Sequence, residues 1–147
     1  MISYERMTKN HVWQVSDLEK ACFQTPWSEN AIASEVDNPL SLWIVAVEDG
    51  KVLGYVGSQS VLGEADMMNL AVDKSCRRQG IARQLISELV NQLNKQDVFK
   101  LTLEVRASNE SAIFLYQRLG FMQVGCRPNY YSNPKEDALI LRKEWED

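Results

Sequence analysis

The run Arg77-Arg78-Gln79-Gly80-Ile81-Ala82 lies between a strand-like stretch, Met67 to Val72, and an amphipathic helical pattern, Ile81 to Leu93. A junction of this kind can hold a pyrophosphate. The first four N–H groups of a helix have no partner inside it, and the macrodipole gathers partial positive charge beside them. Gly80 removes the Cβ that would keep a phosphate oxygen away from the backbone, Ala82 is nearly as small, and Arg77, Arg78 and Arg83 add full charges. The competing reading is an ordinary loop entering an exposed basic helix. Placement between strand and helix favours the anion site more than the short motif does by itself.

Two side chains further on could move protons. Along Leu101 to Val105, Leu101, Leu103 and Val105 face one way while Thr102 and Glu104 face the other. Glutamate is depleted in strands, so Glu104 in this apolar run is either a general base held partly out of water or an edge carboxylate paired with an arginine such as Arg106. Tyr116 falls seven residues after Asn109, so both can share one face of a helix two turns apart. A phenol there could donate a proton; its alternative role is a core aromatic with its hydroxyl at the rim.

The elements that would position these groups follow from periodicity and punctuation. Ile2 to Met7 alternates as a first strand, and Val12, Val15, Leu18, Ala21 and Cys22 recur at helical spacing. Pro26 interrupts, Ser28 can cap a second short helix ending near Asp37, and Asn38-Pro39 stops it. Trp27, between these helices, either packs in the core or lines a binding groove. Leu42 to Val47 and Val52 to Val61 flank Asp49-Gly50 and read as a hairpin, with Gly54 and Gly57 marking a local weakness or bulge. Strand, helix and strand over 67–72, 81–93 and 101–105 predict a right-handed crossover with the two strands parallel. Ser108 or Asn109 can cap a fourth helix closed by Gly120, and Phe121 to Arg127 and Ala138 to Arg142 read as closing strands. The expected fold is α/β: a mixed, mostly antiparallel sheet with a central parallel strand pair and helices on both faces, in one domain over residues 1–147.

Composition narrows the chemistry. Sixteen basic against twenty acidic side chains, a net charge of −4, weigh against a broad surface for nucleic acid and suit a basic peptide partner. A single histidine, His11, removes multi-histidine metal sites, so no metal is expected, and it reads as a surface imidazole near a helix start. The three cysteines, Cys22, Cys76 and Cys126, form no Cys-x-x-Cys pair and read as small core hydrophobes in a reducing compartment, Cys76 being set apart by Arg77 and Arg78. No apolar signal core or stretch of ~18 apolar residues suggests membrane targeting or a span, so a cytoplasmic location is expected. Nothing in the chain speaks to oligomeric state.

Taken with Pro26-Trp27-Ser28-Glu29, Asn69-Leu70-Ala71-Val72-Asp73, Leu103-Glu104-Val105-Arg106-Ala107-Ser108-Asn109, Leu115-Tyr116, Leu119-Gly120-Phe121, Asn129-Tyr130-Tyr131 and Glu136-Asp137-Ala138, the Arg77-x-x-Gly80-x-Ala82 loop resembles the Gcn5-related N-acetyltransferases. The likeness is to their RimI-type branch, bacterial enzymes that acetylate the amino-terminal alanine of a small-subunit ribosomal protein. It implies acetyl-CoA as co-substrate and the amino-terminal peptide of a ribosomal protein as partner. It also implies that Leu70, Ala71 and Val72 bond the pantetheine through backbone groups and that Arg78, Gln79, Gly80, Ile81, Ala82 and Arg83 hold the pyrophosphate. By the same likeness Asn109 touches the cofactor arm, Glu104 is the general base and Tyr116 the acid that protonates the departing thiolate. Trp27, Tyr130 and Tyr131 would meet the peptide, and Glu35, Asp37 and Glu136 are candidates for a negative rim around it. Lys74 and Ser132 stand where such enzymes often carry proline. Two other readings share some of these residues: an acetyltransferase for a small amine, and a non-catalytic acyl-CoA-binding module that needs neither Glu104 nor Tyr116. A dinucleotide-binding domain fits poorly, because the loop lacks a full Gly-x-Gly-x-x-Gly.

Overall fold

The computed structural model describes residues 1–145. Its elements are β1 (Ser3–Arg6), α1 (Val12–Cys22), α2 (Glu29–Asp37), β2 (Ser41–Glu48), β3 (Lys51–Val61), β4 (Glu64–Val72), α3 (Ile81–Lys95), β5 (Lys100–Arg106), α4 (Glu110–Arg118), β6 (Met122–Tyr131) and β7 (Glu136–Glu144). The seven strands form one sheet in the order β1-β2-β3-β4-β5-β7-β6, with β4 and β5 parallel and every other pair antiparallel. No helix among the described residues is long and apolar enough to cross a membrane.

Strand alternation divides the core in two. Leu42, Ile44, Ala46, Leu101, Leu103 and Val105 pack with Ile81, Leu85, Leu89 and Leu93 of α3 and Tyr116 of α4. Trp43, Val45 and Tyr55 pack on the other face with Val12, Val15 and Leu18 of α1 and Ile32 of α2. Helices therefore cover both faces, as a sheet with two apolar sides requires. The β2–β3 turn places Asp49 (φ 52°) and Gly50 (φ 77°) in the left-handed region, the geometry that Asp-Gly hairpins adopt. Gly57 is explained by packing: a Cβ there would lie 2.3 Å from Cε2 of the Trp43 indole.

Two expectations need correction. The parallel pairing is confined to Glu64–Asp66 against Lys100–Thr102, upstream of the stretch 67–72 that the crossover pattern pointed to. Just past that pairing Met68 is an extra residue on β4, because Ser58 opposes Met67 while Gly57 opposes Asn69. This bulge re-aims β4, and beyond it β4 and β5 are no longer paired. The cysteines are not all core: Cys22 and Cys76 are half-buried, but Cys126 on edge strand β6 is exposed.

Candidate active site

Past its bulge, β4 presents backbone groups to the gap. Asp73 N–H donates to Leu53 C=O of β3, so by antiparallel alternation Ala71 points its polar groups the same way and Leu70 and Val72 point theirs outward, toward the space β5 has left. The Val72 carbonyl accepts a long bond from Arg77 Nε (3.4 Å), which turns that arginine back toward the strand end. Asp73 then accepts from the Ser75 N–H (2.9 Å) and hydroxyl (2.8 Å), shaping the turn; these bonds hold its carboxyl below the usual range, the Ser75 N–H contributing most.

The loop that follows is built to receive an anion. Arg78 (φ 69°) and Gly80 (φ 76°) both take left-handed backbone, and Gly80 caps α3 without any side-chain hydrogen bond to its first turn. A Cβ on Gly80 would meet nothing nearer than Arg83 Nη2 at 3.8 Å, so the space in front of these free N–H groups is open. A cleft of about 210 Å³ lies there, lined by Val72, Cys76, Arg77, Arg78, Gly80, Ile81, Ala82, Arg83 and Leu115. Gln79 sits in the same loop but not in that lining. Free helix-start amides, a missing Cβ and several guanidinium groups fit a pyrophosphate.

Glu104 occupies the opposite face of the sheet from α3 and α4, since its neighbours Leu103 and Val105 belong to their core. Its side chain is 30% exposed, and Oε1 lies 3.8 Å from Arg127 Nε, a partner that is itself mostly solvated. Arg106 is not the partner. Its guanidinium instead binds the Pro134 and Ser132 carbonyls (2.9 and 3.0 Å) and Glu136 (3.3 Å), pinning the β6–β7 connection. Glu104 Oε2 is buried and, among the described residues, lacks a hydrogen-bond partner. A buried carboxylate oxygen left free is costly, so it marks an atom kept ready for something outside the chain.

Aromatic side chains connect the two faces. Tyr116 is 8% exposed and packs on Phe121 with ring centroids 5.5 Å apart. Burial, with a smaller contribution from Tyr131, pushes its phenol up to about 12. Tyr131 is itself raised, first by burial and then by the charge of Glu104, so it lies close to both groups; Arg106 stacks over its ring at 4.4 Å. Tyr130 is raised chiefly by hydrogen bonding toward Glu104, although no bond of ordinary length and angle joins them. Asp66 on β4 is also pushed up, by burial first and the Glu104 charge second.

The remaining candidates divide. Trp27 packs edge-on against Trp43 (5.6 Å), within the α1–α2 core, and its N–H donates to Glu19. Asn109 caps α4, Oδ1 accepting from Ala112 N (3.3 Å), which leaves only its Nδ2 for a ligand. The negative rim does not form. Glu35 is buried and receives bonds from Trp43 Nε1 (3.2 Å) and Gln59 Nε2 (2.8 Å), Asp37 pairs with Lys9, and Glu136 serves Arg106 and the Ser108 N–H. His11 caps a local turn through Thr8 N–H (2.9 Å) and faces Glu5. Sequence reasoning passed over Glu19, which is fully buried and accepts from Tyr55, Asn69 and the Trp27 N–H, and it passed over Leu115 and Arg118 beside the Gly80 cleft. For Glu19 no local signal existed, because Asn69 is 50 residues away.

Comparison with known proteins gives a consistent result. The profile of the Acetyltransferase (GNAT) family matches residues 12–121. The [ribosomal protein bS18]-alanine N-acetyltransferase of Escherichia coli K12 is 40% identical over 126 residues, 84% of each chain. Its namesake from Salmonella typhimurium LT2 is 38% identical over 132 residues, 88% of this chain and 86% of the relative. The crystal structure of the E. coli ribosomal-protein-S18-alanine N-acetyltransferase superposes with a TM-score of 0.90 at 36% identity, covering 98% of this chain and 94% of that one.

Proposed function

The chain belongs to the acetyltransferase (GNAT) family, and from that premise we propose that this acetyl-CoA-dependent N-acetyltransferase modifies the amino-terminal alanine of ribosomal protein bS18, with Glu104 as general base and Tyr116 as general acid. The observation that carries the chemical half of this reading is the free, buried Oε2 of Glu104 beside the gap between β4 and β5.

Acetyl-CoA, when bound, supplies a thioester carbonyl for the amine to attack. The amides at the start of α3, with Gly80, Arg78 and Arg83, hold its pyrophosphate, and the outward backbone of Leu70 and Val72 bonds the pantetheine arm. An N–H on that stretch also offers a donor to negative charge developing on the carbonyl oxygen. From the other side of the sheet, Glu104 Oε2 takes the proton that the α-amine gives up, through one bridging water. As the N–C bond forms and the C–S bond breaks, Tyr116 Oη delivers its proton to sulfur. Tyr116 carries that proton at neutral pH as any phenol does, and burial pushes it further up, to about 12.

An α-amine suits this apparatus. With a pKa of about 7.8 it is roughly a quarter neutral at pH ~7.4, whereas a lysine near 10.4 is neutral about one part in a thousand. The difference, ~3.3 kcal/mol of deprotonation work, lies beyond what one carboxylate supplies easily. Tyr130 and Tyr131, whose rings meet edge to face at 5.1 Å and which both feel the Glu104 charge, are the aromatic surface against which the first peptide residues would lie.

The test is acetylation of a panel of amino-terminal peptides and small amines, paired with mass spectrometry of ribosomal proteins from cells with and without this chain. Acetylated bS18 amino termini that disappear without the chain are the expected result. Turnover confined to small amines, or acyl-CoA binding with no turnover on any amine, would overturn the assignment.

A further inference from the structure

A second cleft, of about 290 Å³, opens from the first where Gly80, Arg83 and Leu115 line both. Its other walls are Arg118 and Leu119, near the end of α4. Arg83 and Arg118 thus reach one cavity from two different helices, and among the described residues neither guanidinium has a carboxylate within ion-pairing distance. Arg118 is also steadied: its guanidinium carbon stacks 5.5 Å above the ring of exposed Phe114. Two unpaired cations at the mouth of an apolar cleft make a site for an anion attached to a flat, weakly polar body.

We infer that Arg118, beside the Arg83 that faces the pyrophosphate, binds the 3′-phosphate of the coenzyme's adenosine, the apolar wall of Leu115 and Leu119 receiving the nucleoside. This rests on the reading that the pyrophosphate sits at Gly80, since the two clefts meet there. Beyond its pyrophosphate, CoA carries one further charged group, a phosphomonoester close to dianionic above its second pKa of about 6. A guanidinium meets such a group with parallel N–H donors, whereas the hydroxyl of the dephospho form offers neither the charge nor the paired oxygens. The chain would therefore distinguish CoA from 3′-dephospho-CoA at Arg118.

Calorimetric titration of the full-length protein with CoA and with 3′-dephospho-CoA tests this, at low salt and pH about 7.5. CoA should bind about tenfold tighter, and Arg118→Gln should bring the ratio to within about twofold while leaving dephospho-CoA affinity unchanged. Arg118→Lys should retain part of the preference, and the wild-type ratio should shrink with added salt and as pH falls through about 6. Equal binding of the two ligands by the wild-type protein, or an Arg118→Gln variant that keeps the ratio or weakens both ligands alike, would overturn the role of Arg118 and leave the Gly80 site standing. Failure to bind either ligand would overturn both.

Discussion

Glu104 and Tyr116 differ in what their surroundings do for them. Glu104 keeps one oxygen buried and free, so its value lies in an unspent acceptor. Glu104→Gln should lower kcat by about 10²–10⁴-fold with acetyl-CoA affinity unchanged by calorimetry, and near-normal turnover would remove it as the base. As the proposed acid, Tyr116 would have to be protonated to act, so activity that depends on it would be present below its pKa and lost as pH rises through it. With that phenol pushed up to about 12, the loss falls outside the range in which the enzyme can be assayed. The pH profile of kcat/KM on a peptide should rise as the α-amine deprotonates near pH ~7.8 and then stay level to about pH 10. A decline between those values that Tyr116→Phe abolishes would mean that the phenol titrates far lower than its burial dictates.

At the scale of elements, the site depends on where β4 bends and where α3 and α4 begin. Gly57, beside the bulge, is occupied in effect by the Trp43 indole, which stacks on Tyr55 (5.9 Å) and bonds Glu35, so the ring cannot retreat cheaply. Gly57→Ala should cost about 1–3 kcal/mol in denaturant unfolding, as overpacking does. Asn109 has two separable tasks. Asn109→Ala removes the α4 cap and should cost about 1 kcal/mol, whereas Asn109→Asp keeps an acceptor oxygen at the helix start and should preserve stability. Weaker acetyl-CoA binding by the Asp variant that persists at high salt, where repulsion from the added carboxylate is screened, would assign the free Nδ2 to the coenzyme; unchanged binding there would leave Asn109 as a cap alone.

Across the whole molecule, coenzyme and peptide would on the proposed reading approach from opposite faces of one sheet and meet where β4 and β5 part. On that reading the coenzyme side is the face covered by α3 and α4, and the acceptor side is the face that carries Glu104 and the α1–α2 layer. A ligand that binds only this folded arrangement stabilises it by mass action, ~2.7 kcal/mol at a hundred times its Kd. For a chain of this size that is a rise in Tm of roughly 5–10 °C. Acetyl-CoA should produce such a shift in the wild-type protein and in Glu104→Gln. In Gly80→Trp, whose indole would fill the cleft before α3, the shift should vanish.

Features set by local chemistry were legible in the residues themselves. Asp49-Gly50 dictates a left-handed two-residue turn, Ser28 and Asn109 start helices by accepting from their first turns, and Gly80 before an amphipathic run leaves helix-start amides free. Each arises from atoms within a few residues of one another. The alternation that turned Glu104 away from Leu103 and Val105 was equally local. Tertiary structure alone decided that the parallel pairing stops at Asp66, that Glu35 is buried beneath Trp43 and Gln59, that Arg106 abandons Glu104 for the β6–β7 connection, and that Arg118 comes to face Arg83. Those outcomes join segments far apart in the chain, where the partner of a charged or aromatic group is chosen by which surfaces the sheet and its two helical layers bring together, and no short-range pattern records that choice.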